Sequence, residues 1–194
     1  MRGAIEVIGT RLPPESKDAA VVKEIVARID ALNSLMKDLL LFARPPRPRP
    51  TLVDVGTLIT TTVELLSGDP TLEGIRVEVL GSAPPIMADA ELLKIVFGNL
   101  LVNGAHAMQG LGLIRVSVTS VDAACHIAFS DRGPGIPPEI RDKIFTPFFT
   151  TKSRGTGLGL STSRRLIEAH SGRIDVMRPS GGGTTVIVLL PAST

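Results

Sequence analysis

The sequence predicts an α+β protein in two parts, a helical hairpin followed by a unit in which helices and strands are interleaved. Three observations carry this. Val22, Ile25, Ile29, Leu32, Met36 and Leu39 recur in steps of three and four, the seam of a packed helix. Ala43-Arg44-Pro45-Pro46-Arg47-Pro48-Arg49-Pro50 then holds four prolines, which remove backbone donors and disfavour helix at the residues before them, so a helix must stop there. Beyond the prolines, stretches of helical spacing alternate with stretches of strict in-out alternation.

In the first part, Val26, Leu35, Leu40 and Phe42 widen the apolar stripe, which suits a bundle buried on more than one side. The segment from Gly3 to Thr10 reads as the end of an earlier helix, with Leu12-Pro13-Pro14-Glu15-Ser16 as the turn. Two helices bury too little apolar area to stand alone. A four-helix bundle built from two copies is the natural completion, so a homodimer through the N-terminal helices is expected. The expected divisions are a partial dimerisation hairpin over residues 1–44, a Pro/Arg-rich linker over 45–52 and a third region over 53–194.

In that region Val53 to Leu66 has helical spacing, ended by Gly68-Asp69-Pro70. Ile75 to Val79 alternates as a half-buried strand, and Pro85-Ile86-Met87 begins another extended piece. Asp89 can cap a long helix from Ala90 to Met108, ended by Gly110. Strands come next around Ile114 to Val118 and His126 to Ser130, the second terminating at Asp131. Asp131 shares a strand face with Ile127 and Phe129, so its carboxylate should point toward a partly apolar cavity. A short helix from Pro138 to Phe145, a longer one from Leu160 to His170, and closing strands over Gly172 to Met177 and Thr185 to Leu190 complete the pattern.

Composition narrows the function. With 43% hydrophobic and 21% charged residues, the chain of 194 residues can bury a core and is not disordered. A net charge of +2 spread along the chain gives no nucleic-acid surface. Cys125 is the single cysteine, so no internal disulfide forms, and a reducing, cytoplasmic setting fits. No apolar run approaches the ~20 residues that span a bilayer, and no signal-peptide pattern opens the chain. No membrane contact is expected within these residues; an anchor for a longer protein would lie upstream of Met1.

Asn99 and Asn103 lie four apart on the long helix, on one face, among apolar neighbours. Either they cap nearby backbone or an amide oxygen completes the shell of a magnesium ion arriving with substrate phosphates. Asp131-Arg132-Gly133-Pro134-Gly135-Ile136-Pro137 sets a carboxylate beside two glycines. It is either an aspartate-held turn or a site where the carboxylate accepts from the exocyclic amine of adenine and glycine backbone approaches the ring. Gly155-Thr156-Gly157-Leu158-Gly159-Leu160 leads into a helix whose first N–H groups attract phosphate. A Walker A loop would need Gly-Lys-Ser or Gly-Lys-Thr, and a dinucleotide fingerprint a strand directly before the glycines, so both are excluded. Thr146 to Arg154 is loop-like and could close as a lid.

The order N-x-x-x-N, D-x-G-x-G, F-x-P-F-F and G-x-G-x-G resembles the N, G1, F and G2 boxes of sensor histidine kinases, across residues 53 to 194. The resemblance implies a GHKL (Bergerat) α/β sandwich with a mixed sheet, holding ATP and Mg2+ between the sheet and the long helix. It implies Asn103 as the magnesium ligand and Asn99 as its catalytic helper. Asp131 would hold the adenine amine, with Gly133, Gly135 and Ile136 beside it. Gly155, Thr156, Gly157, Leu158, Gly159 and Leu160 would cradle the phosphates. His106 either contacts phosphate or is a satisfied helix histidine. Lys152 either reaches the terminal phosphate, as a catalytic residue, or is a solvated loop lysine. Thr184 is assigned a water-mediated contact to adenine.

Related ATPases such as gyrase, heat-shock chaperones and mismatch-repair proteins place a glutamate general base four residues before the magnesium-binding asparagine; here that residue is Asn99. An amide cannot take the proton, so phosphoryl transfer to a nucleophile is expected over hydrolysis. The resemblance implies a histidine acceptor in a motif like H-E-x-x-N-P-L and a response-regulator receiver domain as partner. That motif is not in this sequence; Arg2-Gly3-Ala4-Ile5-Glu6-Val7 resembles the segment directly after the motif in kinases of the nitrogen-regulator type. His106 is on the ATP helix, His126 on a strand, and His170 in a last helical turn where a cation complements the dipole. Self-phosphorylation at the normal site is therefore not expected. The alternative function is a catalytically silent nucleotide-binding dimerisation module that regulates another kinase.

Overall fold

The computed structural model describes residues 7, 12–13, 16–122, 124–152, 155–179 and 181–192. The chain forms two compact units, Met1–Arg44 and Pro45–Thr194. In the first, helix α1 (Lys17–Ala43) starts where the Ser16 hydroxyl accepts the Ala19 N–H at 3.1 Å. It ends where Arg44 N–H bonds Leu40 C=O and Pro45 follows. Leu32, Leu35, Met36, Leu39 and Leu40 are exposed along it. The earlier helix expected from Gly3 to Thr10 lies outside the described residues except for Val7, which is helical. Among the described residues no helix is long and apolar enough to cross a membrane.

The second unit is a layer of helices on a mixed five-stranded sheet. Its strands are β2 (Gly74–Gly81), β4 (Leu111–Val121), β5 (Ala124–Asp131), β6 (Arg173–Met177) and β7 (Thr184–Pro191), in the order β2-β4-β5-β7-β6. Only the β2–β4 pair is parallel. One face is apolar throughout: Ile114, Val116 and Val118 of β4 line up with Ile127 and Phe129 of β5, and these with Val188 of β7 and Ile174 of β6, all buried. Helices α2 (Val55–Leu65), α3 (Ala90–Ala107) and α4 (Gly159–Ala169) cover that face, with α3 on β4 and β5 and α4 on β6. Phe97 of α3, fully buried, meets Phe129 at a ring-centroid distance of 5.5 Å. This is the α+β sandwich with a mixed sheet that the sequence implied.

Some boundaries differ. The Pro/Arg-rich stretch is not a free linker. Arg49 carries an N–H between two prolines and donates it to Asp89 Oδ2 at 2.8 Å. Thr51–Val53 then forms β1, antiparallel to β3 (Ile86–Ala88). Prolines hold the chain extended, and an extended chain can feed an edge strand as readily as a linker. Val53 is therefore a strand residue, and α2 begins after the Asp54 cap. The segment expected as a short helix from Pro138 is a 3-10 turn over Pro138–Lys143 with no side-chain cap.

Helices α3 and α4 end alike. Gln109 and Ser171 adopt left-handed φ of 57°, and Gly110 and Gly172 N–H groups reach back to Ala105 and Ile167 carbonyls. His170, expected to act as a cation on the dipole of α4, has another role. Its Nε2 accepts the Asp89 N–H at 3.0 Å while Nδ1 meets the Leu166 carbonyl at 2.7 Å. An Nε2 that accepts carries no proton, so the ring is neutral and joins the end of α4 to the start of α3. Asp89 in turn caps α3, with Oδ1 accepting Glu91 and Leu92 N–H groups.

Partial burial works against ionisation of Asp89, but the N–H donors of Arg49, Leu92 and Glu91 outweigh it and hold its pKa below the ordinary carboxylate value. A depressed folded pKa adds stability that is complete above the unfolded value and is lost as pH falls through the folded one. Asp89→Ala should lower unfolding stability by about 1–2 kcal/mol at neutral pH, as for a lost helix cap, in urea denaturation. The gap between wild type and variant should shrink in acid. A gap unchanged at low pH would show that the carboxylate charge contributes nothing.

Candidate nucleotide site

Three of the four motifs meet the fourth on α3. Asn99 donates its amide to the Gly159 carbonyl at 3.3 Å and the Ser163 hydroxyl at 3.4 Å, fixing the start of α4. Asn103 Oδ1 accepts from Lys152 Nζ at 2.7 Å, which brings the lid to the helix. Gly104 sits where α3 packs closely on β4, since a Cβ there would stand 3.1 Å from Ile114 Cδ1, and it lies beside the end of β5, with Asp131 Cβ 3.6 Å from the same point. Gly104 was not singled out from sequence. A glycine inside a helix costs about 1 kcal/mol against alanine and so signals a close approach.

Asp131 sits at the end of β5 with its carboxylate half-buried. Oδ1 accepts Gly133 N–H at 2.8 Å and Thr184 N–H at 3.1 Å, and the Thr184 hydroxyl bonds the carboxylate as well. Desolvation nevertheless keeps the Asp131 pKa above the ordinary value, the hydrogen bonds opposing it. The aspartate thus holds its own turn, one of the two roles its sequence allowed, and pins β7 through the buried Thr184. Gly135 follows at φ 80°, and Gly133 packs on Ala107. An open cavity of about 480 Å3 is lined by Gly133 and Ala107 with Met108, Gln109, Arg132 and Pro134, and touches neither Asp131 nor Asn103.

The lid is pinched at its neck. Phe148 N–H donates to the Gly157 carbonyl at 3.0 Å, and Gly157, at φ 67°, has Phe148 backbone 2.4 Å from where a Cβ would be. No other residue fits there. Phe145, buried, lies under the Arg164 guanidinium at 3.9 Å, tying the lid base to α4. Neither Ser163 nor Arg164 was found from sequence. A serine and an arginine on an amphipathic helix carry no local signal until their partners are known.

After the neck, Leu158 N–H bonds the Thr156 hydroxyl at 3.2 Å, and Leu158 itself is fully buried. Leu158 occupies the cap position of α4 without a side-chain acceptor, so no side chain caps the first helical N–H groups. Leu160, half-buried, lies one residue inside the helix. Ile136 is half-buried after Gly135.

His106 faces the lid. Its Nδ1 is 3.4 Å from Lys152 Nζ, and the ring also bonds the backbone of Val102 one turn earlier. Burial, then the charge of Lys152, lower the His106 pKa. The Lys152 side chain is exposed as a whole, but its ammonium end is crowded, and desolvation lowers its pKa. Among the described residues no group of three or more His, Cys, Asp or Glu could hold a metal; a magnesium ion that arrives with its own waters and substrate phosphates would need only a partial set of protein ligands. Asn103 Oδ1 fits that partial role, because it already accepts a full positive charge at 2.7 Å.

Residues 88–194 match the family model described as histidine kinase-, DNA gyrase B- and HSP90-like ATPase. The chain belongs to this family. Along its full length it is 32% identical to the sensor histidine kinase ZraS of Escherichia coli strain K12, of which it spans 42%. Across 86% of the chain it is 38% identical to the signal transduction histidine-protein kinase AtoS of the same strain, of which it spans 28%. Full-length ShkA in complex with AMPPNP aligns with a TM-score of 0.81 at 26% identity, over 100% of this chain and 44% of that one. The histidine kinase ThkA in complex with the response regulator TrrA aligns at 0.73 and 25% identity, over 99% and 57%. The chain spans less than half the length of the curated relatives it matches. Its family domain is the ATP-binding domain found in sensor histidine kinases.

Asp131→Ala leaves the Gly133 and Thr184 N–H groups without an acceptor and should cost about 1–3 kcal/mol in chemical denaturation. Asp131→Asn keeps an acceptor oxygen and removes a desolvated charge, so its loss should be smaller. Equal losses would mean that the two N–H bonds to Oδ1 do not stabilise the fold.

Proposed function

We propose that this chain binds Mg-ATP and presents the γ-phosphoryl group to a histidine that is none of its own three, for relay to the receiver domain of a response regulator. The observation that carries the reading is the meeting of Asn99 with Gly159, Asn103 with Lys152, and Gly104 with Asp131, which gathers a metal-type oxygen, an uncapped helix start and a desolvated carboxylate along one helix. The Asp131 carboxylate would accept from the adenine amine, with Gly133, Gly135 and Ile136 along the ring and Thr184 behind it. The Gly155 to Leu160 loop and the first turn of α4 would hold the phosphates, with Lys152 and His106 at the terminal one. Asn103 would supply one oxygen to Mg2+, which when bound neutralises charge on the transferring phosphoryl group.

The chain's own histidines do not serve as acceptor. His170 has both ring nitrogens engaged with backbone, His126 is on β5, and His106 lies beside the lid lysine. Transfer is favoured over hydrolysis because Asn99 holds the general-base position and its amide is spent on α4. The kinase names of ZraS, AtoS, ShkA and ThkA, and the AMPPNP and response-regulator complexes among them, support the same reading. The exposed apolar stripe of α1 supports pairing of two copies, and a cytoplasmic setting follows from the substrates. A silent regulatory module remains as the contrast that labelling separates.

Calorimetry with a non-hydrolysable ATP analogue should give one site per chain. Asp131→Asn should weaken it about tenfold or more, the worth of a hydrogen bond to a charged group. Asn103→Ala should remove its magnesium dependence. With an H-E-x-x-N-P-L helix joined ahead of Gly3, γ-labelled ATP should give an acid-labile, base-stable phosphohistidine that Asn103→Ala abolishes. Binding without any labelling would favour the silent module, and unchanged binding in both variants would overturn the site.

A further inference from the structure

The same oxygen that suits a divalent ion is already held by a protein cation. Lys152 Nζ approaches Asn103 Oδ1 at 2.7 Å, the length of a charge-assisted bond, and also faces His106 Nδ1 at 3.4 Å. Ammonium only donates, so this contact fixes which end of the Asn103 amide faces the site: the carbonyl oxygen points at the lid and the NH2 away from it. The lysine is aimed by its own loop. Lys152 N–H bonds the Thr150 hydroxyl at 3.1 Å, Gly155 N–H bonds the Lys152 carbonyl at 3.3 Å, and the Phe148–Gly157 neck closes the loop behind them. A Cβ at 155 would lie 2.5 Å from Thr150 Oγ1 and would push that hydroxyl off the Lys152 N–H.

The geometry points to Lys152 as a positioning residue that occupies the cation place of Asn103 while the nucleotide site is empty, keeping the lid down and the amide oxygen oriented until a divalent ion displaces it. The inference rests on the nucleotide reading above. A monovalent and a divalent cation side by side on one oxygen repel each other, and in a partly desolvated site that repulsion strongly disfavours the pair. An incoming ion must therefore expel the ammonium, and the expelled charge needs a new anion. The terminal phosphate supplies it. Metal alone offers the lysine no such exchange, so ion and nucleotide enter together and the lid moves as they do.

This can be read from amide hydrogen exchange across residues 146 to 157 in the full chain. In the nucleotide-free protein, Lys152→Met and Asn103→Ala should each speed lid exchange about tenfold, as expected for loss of one charge-assisted bond. The double variant should go no further than either single one, because both remove the same contact. Lys152→Arg, which can still donate to Oδ1, should retain most of the protection. With saturating Mg2+ and ATP analogue, Lys152→Met and Asn103→Ala should become independent in their effects on lid exchange. Additive acceleration in the empty protein, or none at all, overturns the inference. Loss of magnesium dependence in Asn103→Ala is scored separately by calorimetry, so a failed nucleotide site and a failed placeholder give different results.

Discussion

The placement of α3 is the constraint on which the rest depends. Its buried side must pack Phe97 against Phe129 of the sheet, while residues 99 and 103, on another part of its surface, must meet α4 and the lid. A shift of register by one residue turns a helix by about 100°, which would carry both asparagines off their partners. The protein prevents this at several points. At the start, Asp89 caps the helix, accepts Arg49 N–H from the proline stretch and gives its own N–H to His170. In the middle, Asn99 is tied to Gly159 and Ser163. Past Asn103, Gly104 packs closely on Ile114 beside Asp131, and Gln109 with Gly110 ends the helix. The site is thus a consequence of how one helix is held, not of any one loop.

Most helix and strand positions in the second unit were readable because their periods are distinct. The Asp89 cap and the alternation through Ile127, Phe129 and Asp131 placed α3 and β5 nearly to the residue. What sequence could not give was any interaction between distant residues. The proline stretch looked like a linker because composition reports the loss of donors, whereas the use of a remaining donor, Arg49 N–H, depends on Asp89 forty residues later. His170 failed for the same reason. A histidine in a last helical turn looks like a cation until its Nε2 is found accepting a backbone N–H from 81 residues away.

At the site, order and spacing of motifs suggested which residues belong together, but left each one between a structural and a chemical role. For Asn99 and Asp131 the structure shows the structural contacts. Asn99 binds backbone and hydroxyl of α4, and Asp131 holds its own turn and β7, before either has a ligand. A residue that must stay oriented for a ligand needs partners when the ligand is away, so structural bonds at these positions do not compete with the nucleotide reading. The Gly104 contact and the Arg164 stacking on Phe145 had no local pattern and emerge only when the elements pack.

The choice between a phosphoryl donor and a silent binding module turns on charge. A module that only senses nucleotide gains from a carboxylate for the base and from helix N–H groups for phosphate, and Asp131 and the start of α4 are sufficient for that. It gains little from an ammonium held in a partly desolvated place, where the surroundings lower its pKa and so work against its charge. Lys152 is kept there against that cost, beside the amide oxygen suited to a divalent ion. Two positive charges brought to one end of a polyphosphate act where negative charge grows during transfer, not where the adenine is recognised. With an amide at Asn99, no base stands ready to direct that stabilisation to water. The electrostatics therefore fit delivery of the terminal phosphoryl group to a nucleophile brought from outside the domain.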